Sequence, residues 1–448
     1  MTPLVPTRRL LVAATDGGVL RCLLPLAAAL RGRGWTVGFW TPFLRDRMWL
    51  RCVGEHPLPA TRAGTEALPA SLEPALALRA QVGGLRLDER LRRHAAAQWR
   101  AAREAVGRFD AALVWNGGEL QAACVAEAAR AEGKPVVYLE NGLLPRTLQI
   151  DARGVNAAAA ARERIAASAA DAPRWIAPVA GAPLRCAEPS LLFRWCATAA
   201  EWIEALAHPE RARFALHVRR RALRQARRRK RPVAGDATPL PERFVFVPLQ
   251  VHDDTQVLRH GGWVRSMEDL LQAVRAASPL PVVVREHPMD VGRADLRSLK
   301  ARYPEFLWTR TRSLEECLRR ASAVATINST VGVEALALGR PVVVCGDCVY
   351  GVEGLVHLAS EPAALRPALA AACARESAPA AVESLLGALA RELHVALDRQ
   401  KPDAAGLARL VQRIEELVLP VMSLASGARS SDRSASTMAA TELVGALS

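Results

Sequence analysis

The sequence predicts an α/β chain: two Rossmann-like domains facing a cleft, with a helical insertion between their sheets and helices at the C-terminal end. Three observations predict it. Short, β-branched apolar runs alternate with amphipathic helical stretches, once before residue 155 and again after residue 241. An alanine-rich and then arginine-rich stretch separates the two series. Several strands of both halves end in polar residues, at the edge where an open parallel sheet receives its ligand.

In order along the chain, RRLLVAAT reads as a strand and DGG as its turn. VLRCLLPLAAALRGRG follows as a helix closed by glycine, and WTVGFWTP as a second strand. DAALVWNGG and KPVVYLENG are further strands, with the helical ELQAACVAEAARAEG between them. Each ends in Asn-Gly, which brings Asn116, Glu140 and Asn141 to the carboxyl edge. NAAAAARERIAASAADA and FRWCATAAEWIEALA read as helices, and Pro232 with GDATPLP as a linker. The rhythm resumes with strands RFVFVPL, PVVVREHP, FLWT, AVATINST and RPVVVCG, each separated from the next by a helical stretch. The expected divisions are an acceptor-side domain over 1–200, a basic helical segment and linker over 201–240, and a nucleotide-sugar donor domain over 241–375. C-terminal helices over 376–422 and a tail without order over 423–448 complete the chain.

Composition narrows the class. Half of the 448 residues are hydrophobic, which suits packed domains. No uninterrupted apolar run reaches the ~18 residues of a membrane span. The N-terminal apolar run ends in Asp-Gly-Gly with no small-residue cleavage site, so it is expected to be a first strand and not a secretion signal. The nine cysteines are scattered, as in a reducing cytoplasm. Cys345-Gly-Asp-Cys348 has redox or zinc spacing, but no second pair accompanies it, and small residues in a turn account for it equally. The net charge of +15 is local: eleven of residues 211–231 are Arg or Lys and none is acidic. Without aromatic interleaving or a known motif, this charge does not point to nucleic acid.

Four groups of residues could carry chemistry. Asp253 and Asp254 follow RFVFVPL and Gln250; they are either paired catalytic carboxylates or an acidic turn capping the next helix. His287-Pro288 closes VVVREHP, where the imidazole could present an N–H to a phosphate or satisfy its own turn. Ser329 and Thr330 open a helix, as a phosphate cradle or as ordinary caps. Gly332 permits close backbone approach there, and Glu334, one turn in, could accept from ribose hydroxyls. No GxxxxGK[ST] or GxGxxG is present, which disfavours ATP hydrolysis and dinucleotide redox chemistry. Glu140 belongs to the other domain, and a carboxylate from each side of one cleft suits acid/base or nucleophilic work on a sugar. Two doubly wound domains suggest a sugar-nucleotide glycosyltransferase of the GT-B type, although periplasmic binding proteins and certain epimerases share the silhouette.

YLENGLLPRTLQIDARGVN (138–156), PLQVHDDTQV (248–257), REHPMD (285–290) and INSTVGVEAL (327–336) resemble, in order and spacing, the capsular polysaccharide biosynthesis and export proteins of Gram-negative bacteria. The resemblance implies a retaining GT-B β-Kdo transferase of single-module length. It would take Kdo from CMP-Kdo to a phosphatidylglycerol-type lipid, without a metal or other cofactor, at the cytoplasmic face of the inner membrane. By the same resemblance, His287 and Pro288 correspond to the CMP-binding motif and Ser329 and Thr330 to the phosphate-contacting pair. Asp254 is the shared aspartate, with Asp253 beside it, and Glu140 is the acid/base or acceptor-activating residue. A carboxylated sugar would want a cation, for which Arg285 and Arg146 are candidates. Asn116, Asn141 and Gln250 are expected to line the acceptor side. After GVN the chain runs AAAAARER, a departure from the polar and aromatic residues the resemblance leads one to expect. The basic segment, with Arg220, Arg224 and Arg228, is expected to meet an anionic membrane surface, and other capsule assembly proteins are the expected partners. The rival readings are a transferase of similar fold using another CMP-nonulosonate, and a non-catalytic glycolipid-binding export accessory.

Overall fold

A computed structural model describes residues 8–445, except 15–16, 63, 171, 178–180, 185–189, 208–237, 289, 291–295 and 375–377. The basic segment at 211–231, with Arg220, Arg224 and Arg228, lies outside the described residues.

The first sheet begins with β1 (Arg8–Ala13), α1 (Leu20–Gly32), β2 (Trp35–Trp40) and α2 (Leu44–Cys52). It continues through α3 (Glu73–Gly83), α4 (Glu89–Gly107), β3 (Ala111–Trp115), α5 (Leu120–Ala131), β4 (Val136–Asn141) and β5 (Thr147–Asp151). α6 (Ala161–Ser168) and α7 (Leu191–Ala207) form the described part of the insertion. The second sheet is built from β6 (Val245–Pro248), α8 (Thr255–His260), α9 (Met267–Ala277), β7 (Val282–Arg285), α10 (Leu296–Arg302) and β8 (Leu307–Thr309). α11 (Leu314–Arg320), β9 (Ala323–Thr326), α12 (Val331–Ala337), β10 (Val342–Val344), β11 (His357–Leu358) and α13 (Leu365–Ala374) complete it.

Strand order in the second sheet is β8-β7-β6-β9-β10-β11, parallel throughout. This is the 3-2-1-4-5-6 order of a doubly wound sheet, and its crevice opens where β6 and β9 diverge. The sheet is covered on both sides because its strands are apolar on both. Val245 and Val247 of β6 enter one core, while Phe244 and Phe246 enter the other. Side-chain caps set where its helices begin: Ser266 Oγ accepts from Asp269 N, and Ser313 Oγ from Glu316 N.

The first sheet has the order β12-β5-β4-β3-β1-β2, with its first four strands in chain order parallel. β5 returns antiparallel to β4. The last strand, β12 (His394–Ala396), is antiparallel to β5 and arrives after α14 (Pro379–Glu392) from the far end of the chain. α15 (Ala404–Gly445) then packs Leu407, Leu410, Val411, Ile414 and Val418 into the core shared with α1 and β1. Leu410, Ile414 and Val418 are wholly buried, each contributing about 1.5–3 kcal/mol of transfer free energy. The region after 376, expected as C-terminal helices, also supplies an edge strand to the first sheet, while α15 covers that sheet. The segment from Ser423, expected to lack order, continues α15.

Candidate functional site

The two carboxyl edges face one another. Arg259 on α8 donates to the Gly118 carbonyl beyond β3 at 3.5 Å, and α6 reaches across through Arg162 to Asp347 at 3.8 Å.

On the first-domain side Glu140 is held by its neighbours. Asn116 Nδ2 donates to its Oε2 at 2.6 Å; Asn141 N and Nδ2 donate to its Oε1 at 2.7 and 2.8 Å. Asn116 adopts a left-handed backbone (φ 59°), a conformation asparagine tolerates, and its Oδ1 accepts from Gly118 N. Gly117 is also left-handed (φ 79°), and a Cβ there would lie 2.5 Å from the Tyr138 ring. Gly117→Ala should therefore displace Asn116 from Glu140 and lower turnover at least about tenfold. Sugar transfer, measured beside a thermal melt to confirm folding, checks this.

Burial pushes the Glu140 carboxyl above its ordinary range, and the Asp254 carboxylate adds to the effect. The three hydrogen bonds and the guanidinium of Arg399 oppose it. Arg399 lies between β12 and α15 and rests over the Trp115 ring at 5.7 Å. Nothing local in the sequence marks it, since it reaches the site only through the return of the chain.

A second tier holds this hairpin. Gln149 Nε2 donates to the Asn141 carbonyl and to Asn156 Oδ1, and Asn156 N donates to Gln149 Oε1. Asp151, also buried, accepts from the backbone N–H groups of Arg153, Gly154, Ala160 and Ala161. His394 Nε2 accepts from Leu143 N at 3.0 Å while its Nδ1–H donates to the Leu389 carbonyl at 2.7 Å. The polar residues of YLENGLLPRTLQIDARGVN thus serve largely to shape the loop that carries Glu140.

On the second-domain side Asp254 is the N-cap of α8; its Oδ1 accepts from Gln256 N at 2.9 Å. Burial raises its carboxyl above the ordinary range, with Asp253 and Asp290 adding and the Gln256 N–H and His287 opposing. His287 follows β7, and burial lowers its imidazole below the usual value, with Asp290 and Asp254 pulling the other way. A neutral imidazole with one N–H results at neutral pH. Pro288 is exposed in the turn after it, where Asp290 N donates to the His287 carbonyl.

Among the described residues, His252, Asp253 and Asp290 form one group with metal-ligand spacing, their ligand atoms within 4.8 Å of one another. Both Asp290 oxygens are already engaged, accepting from His252 N at 2.9 Å and pairing with His252 Nδ1 at 2.8 Å. The group ties the loop of Asp254 to the loop of His287.

Ser329 and Thr330 follow β9. Ser329 Oγ accepts from Val331 N, so this hydroxyl is in part a cap; Thr330 is exposed and makes no cap hydrogen bond. Gly332 does provide a close approach, but of Tyr350: a Cβ would lie 2.4 Å from the Tyr350 hydroxyl, which donates to the Ser329 carbonyl at 2.6 Å. Glu334 is exposed, and desolvation raises its carboxyl against the opposing charge of Arg285. Arg285 Nε donates to the Arg312 carbonyl.

One expected cleft residue is placed otherwise. Gln250 is buried, its Nε2 donating to Asn328 Oδ1 at 3.0 Å and its Oε1 accepting from Asn328 N, so the side chain joins the ends of β6 and β9 instead of facing an acceptor. Arg146 has a left-handed backbone (φ 56°) in the β4–β5 turn. Cys345 and Cys348 are buried in the two cores, with both thiols pushed up to about 12 by burial, which suits packing and not thiol chemistry.

Residues 110–364 match the family described as "Capsule polysaccharide biosynthesis protein". The chain is 30% identical over 262 residues to protein FixF of Sinorhizobium fredii, covering 58% of this chain and 54% of that protein. It is 31% identical over 131 residues to the capsule polysaccharide export protein KpsS of Escherichia coli, covering 26% of this chain and 33% of KpsS. The matches therefore span about half of the one relative and a third of the other. Among solved structures, Thermosulfurimonas dismutans KpsC, a beta Kdo 2,7 transferase, is 18% identical, covering 71% of this chain and 89% of that one, at a TM-score of 0.40. MurG of Acinetobacter baumannii is 12% identical over 92% of this chain and 100% of that chain, at 0.35. The four motifs, the doubly wound topology and a match through both carboxyl edges agree: the chain belongs to the capsule polysaccharide biosynthesis protein family.

Proposed function

We propose that this chain is a retaining β-Kdo glycosyltransferase, moving Kdo from CMP-Kdo to a phosphatidylglycerol-type lipid in the synthesis of a capsular linker. The observation that carries the proposal is the placement of Glu140 on β4 of the first sheet and Asp254 at the start of α8 in the second, whose Arg259 reaches the Gly118 carbonyl of the facing edge. His287 and Thr330 follow β7 and β9, the two strands that flank β6 in the second sheet, where each can donate to the phosphate of a nucleotide sugar. No metal is assigned to the reaction. Binding of this kind belongs at a topological switch point.

In this scheme Asp254 attacks the anomeric carbon as the bond to the CMP phosphate breaks, and CMP leaves with the electron pair. The acceptor hydroxyl then displaces Asp254 from the same carbon, and Glu140 takes the hydroxyl proton. Two inversions give net retention. The raised carboxyls suit groups that must exchange protons or bonds near neutral pH. Arg399 adds a cation on the acceptor side, beside Glu140, for an anionic lipid headgroup or a sugar carboxylate.

The test incubates purified protein with CMP-Kdo, generated in situ, and short-chain phosphatidylglycerol, and reads added Kdo by mass spectrometry. One added residue is the expected result, unchanged by EDTA. CMP-sialic acid in parallel separates Kdo from another nonulosonate. Loss of activity in EDTA would count against the metal-free scheme and turn attention to His252, Asp253 and Asp290. The absence of both product and CMP-dependent thermal stabilisation would overturn the transferase reading.

A further inference from the structure

The loop that carries Asp254 is pinned from both flanks. Beyond β6, Leu249 N donates to the Arg285 carbonyl at 3.0 Å, and Asp254 N closes a turn on the Val251 carbonyl at 3.0 Å. His252 and Asp253 are the central residues of that turn. Towards β9 the pin is neutral: Gln250 Nε2 donates to Asn328 Oδ1, and Asn328 Nδ2 donates to the Gln256 and His260 carbonyls of α8. Towards β7 the pin is a charge. Asp290 is buried, and its carboxylate gives both oxygens to one residue, accepting from His252 N at 2.9 Å and from His252 Nδ1 at 2.8 Å. Asp290 closes a turn of its own, its N–H donating to the His287 carbonyl at 2.9 Å. One side chain therefore fastens the turn of Asp254 to the turn of His287.

A tie between two loops does not by itself require a carboxylate. An amide oxygen accepts from a backbone N–H as well, as Gln250 Oε1 does from Asn328 N. Burying a charge is costly unless hydrogen bonds and neighbouring charges offset it. The carboxylate of Asp290 supplies two things that an amide would not. It fixes the His252 tautomer with the proton on Nδ1, so that ring and backbone are held together. Its charge is also felt at both Asp254 and His287. What is fixed is the turn itself, two residues before Asp254, and a reacting group misplaced by about 1 Å loses roughly a hundredfold in rate.

From this geometry we infer that Asp290 is a positioning residue of the transfer: acting through His252, it holds Asp254 in register with His287, so that the attacking carboxylate and the phosphate site keep one separation. The inference rests on the roles proposed above for Asp254 and His287 and adds the element that couples them.

Asp290→Ala keeps the backbone bond to His287 and removes the fastener. With CMP-Kdo as donor it should lower kcat, per folded protein, by about tenfold to a hundredfold. CMP affinity, read by calorimetry, should change by no more than about twofold, because the phosphate site is left in place. Asp290→Asn, which retains an oxygen for His252 N, should recover part of the loss. In the Asp254→Asn background, Asp290→Ala should cost less than about threefold, since no attacking carboxylate remains to be placed. A full additive loss in that background would overturn the inference. So would an unchanged kcat with a lowered melting temperature, which would leave Asp290 a purely structural tie. Stabilisation of the wild type by Zn²⁺ or Mg²⁺ in a thermal melt, abolished in Asp290→Ala, would overturn it too, because His252, Asp253 and Asp290 would then hold a metal. A wild type without CMP-dependent transfer would overturn the transferase reading and this inference together, whereas an active wild type with an additive cycle would overturn this inference alone.

Discussion

Asp254→Asn is expected to slow sugar transfer by about 10²–10⁴-fold while leaving the protein at least as stable as the wild type. Asparagine caps a helix as well as aspartate does, so the bond from Gln256 N is kept and α8 still begins at Thr255. What disappears is a negative charge that burial disfavours. A carboxyl whose folded pKa lies above its unfolded value binds more protons in the fold, so its contribution to stability falls as pH rises through that window. Above that window the wild type bears this cost, and the variant does not. Parallel measurements of product formation and thermal melting check both halves. Unchanged turnover would remove Asp254 from the chemistry, and a large loss of stability would make it a structural cap. The same charge logic sets the acid limb of the rate profile. Glu140 and Asp254 must both be ionised, and burial raises both, so activity should fall off at a higher pH than ordinary carboxylates would give.

Acidification is expected to destabilise the fold through His394. Its imidazole is buried and neutral, with the proton on Nδ1 for the Leu389 carbonyl and the lone pair on Nε2 for Leu143 N. Burial lowers its pKa from 6.5 to about 4. Between those values the unfolded chain binds the proton and the folded one does not. Stability is therefore fully present above pH 6.5 and declines towards pH 4, by about 3 kcal/mol for a shift of this size. Melting temperatures across that range, compared between wild type and His394→Phe, isolate the contribution. The variant should be less stable at pH 7, because Leu143 N loses its acceptor, and should show a shallower acid dependence. An equally steep dependence in the variant would assign the titration elsewhere, for instance to His260 or His287, whose imidazoles burial also lowers below the ordinary value. The consequence would extend to the site, because Leu143 lies in the β4–β5 turn, directly after the strand end that carries Glu140.

Much of the site was legible because its parts are local. An apolar run followed by a polar turn identifies a strand end, and in a parallel sheet strand ends share one edge. That argument brings Asn116, Glu140, Asp254, His287 and Ser329 to strand ends without any distances. It could not separate residues that face the cleft from residues that brace it. Gln250 has the composition of a ligand-contacting residue, and only its bonds to Asn328 show that its amide is already engaged. Gly332 illustrates the same point, since the absence of a side chain there admits Tyr350, eighteen residues further on.

By itself the sequence determined the two series of strands, the split of candidate carboxylates between the two halves, and the local density of positive charge. These follow from periodicity and composition, which act over a few residues. Only the tertiary structure decided that β12 closes the first sheet, that α15 covers it, and that Arg399 stands over Trp115 beside Glu140. Each of these depends on contacts between segments far apart in the chain. Such outcomes are set by which apolar surfaces meet on folding, and short-range patterning does not encode that choice.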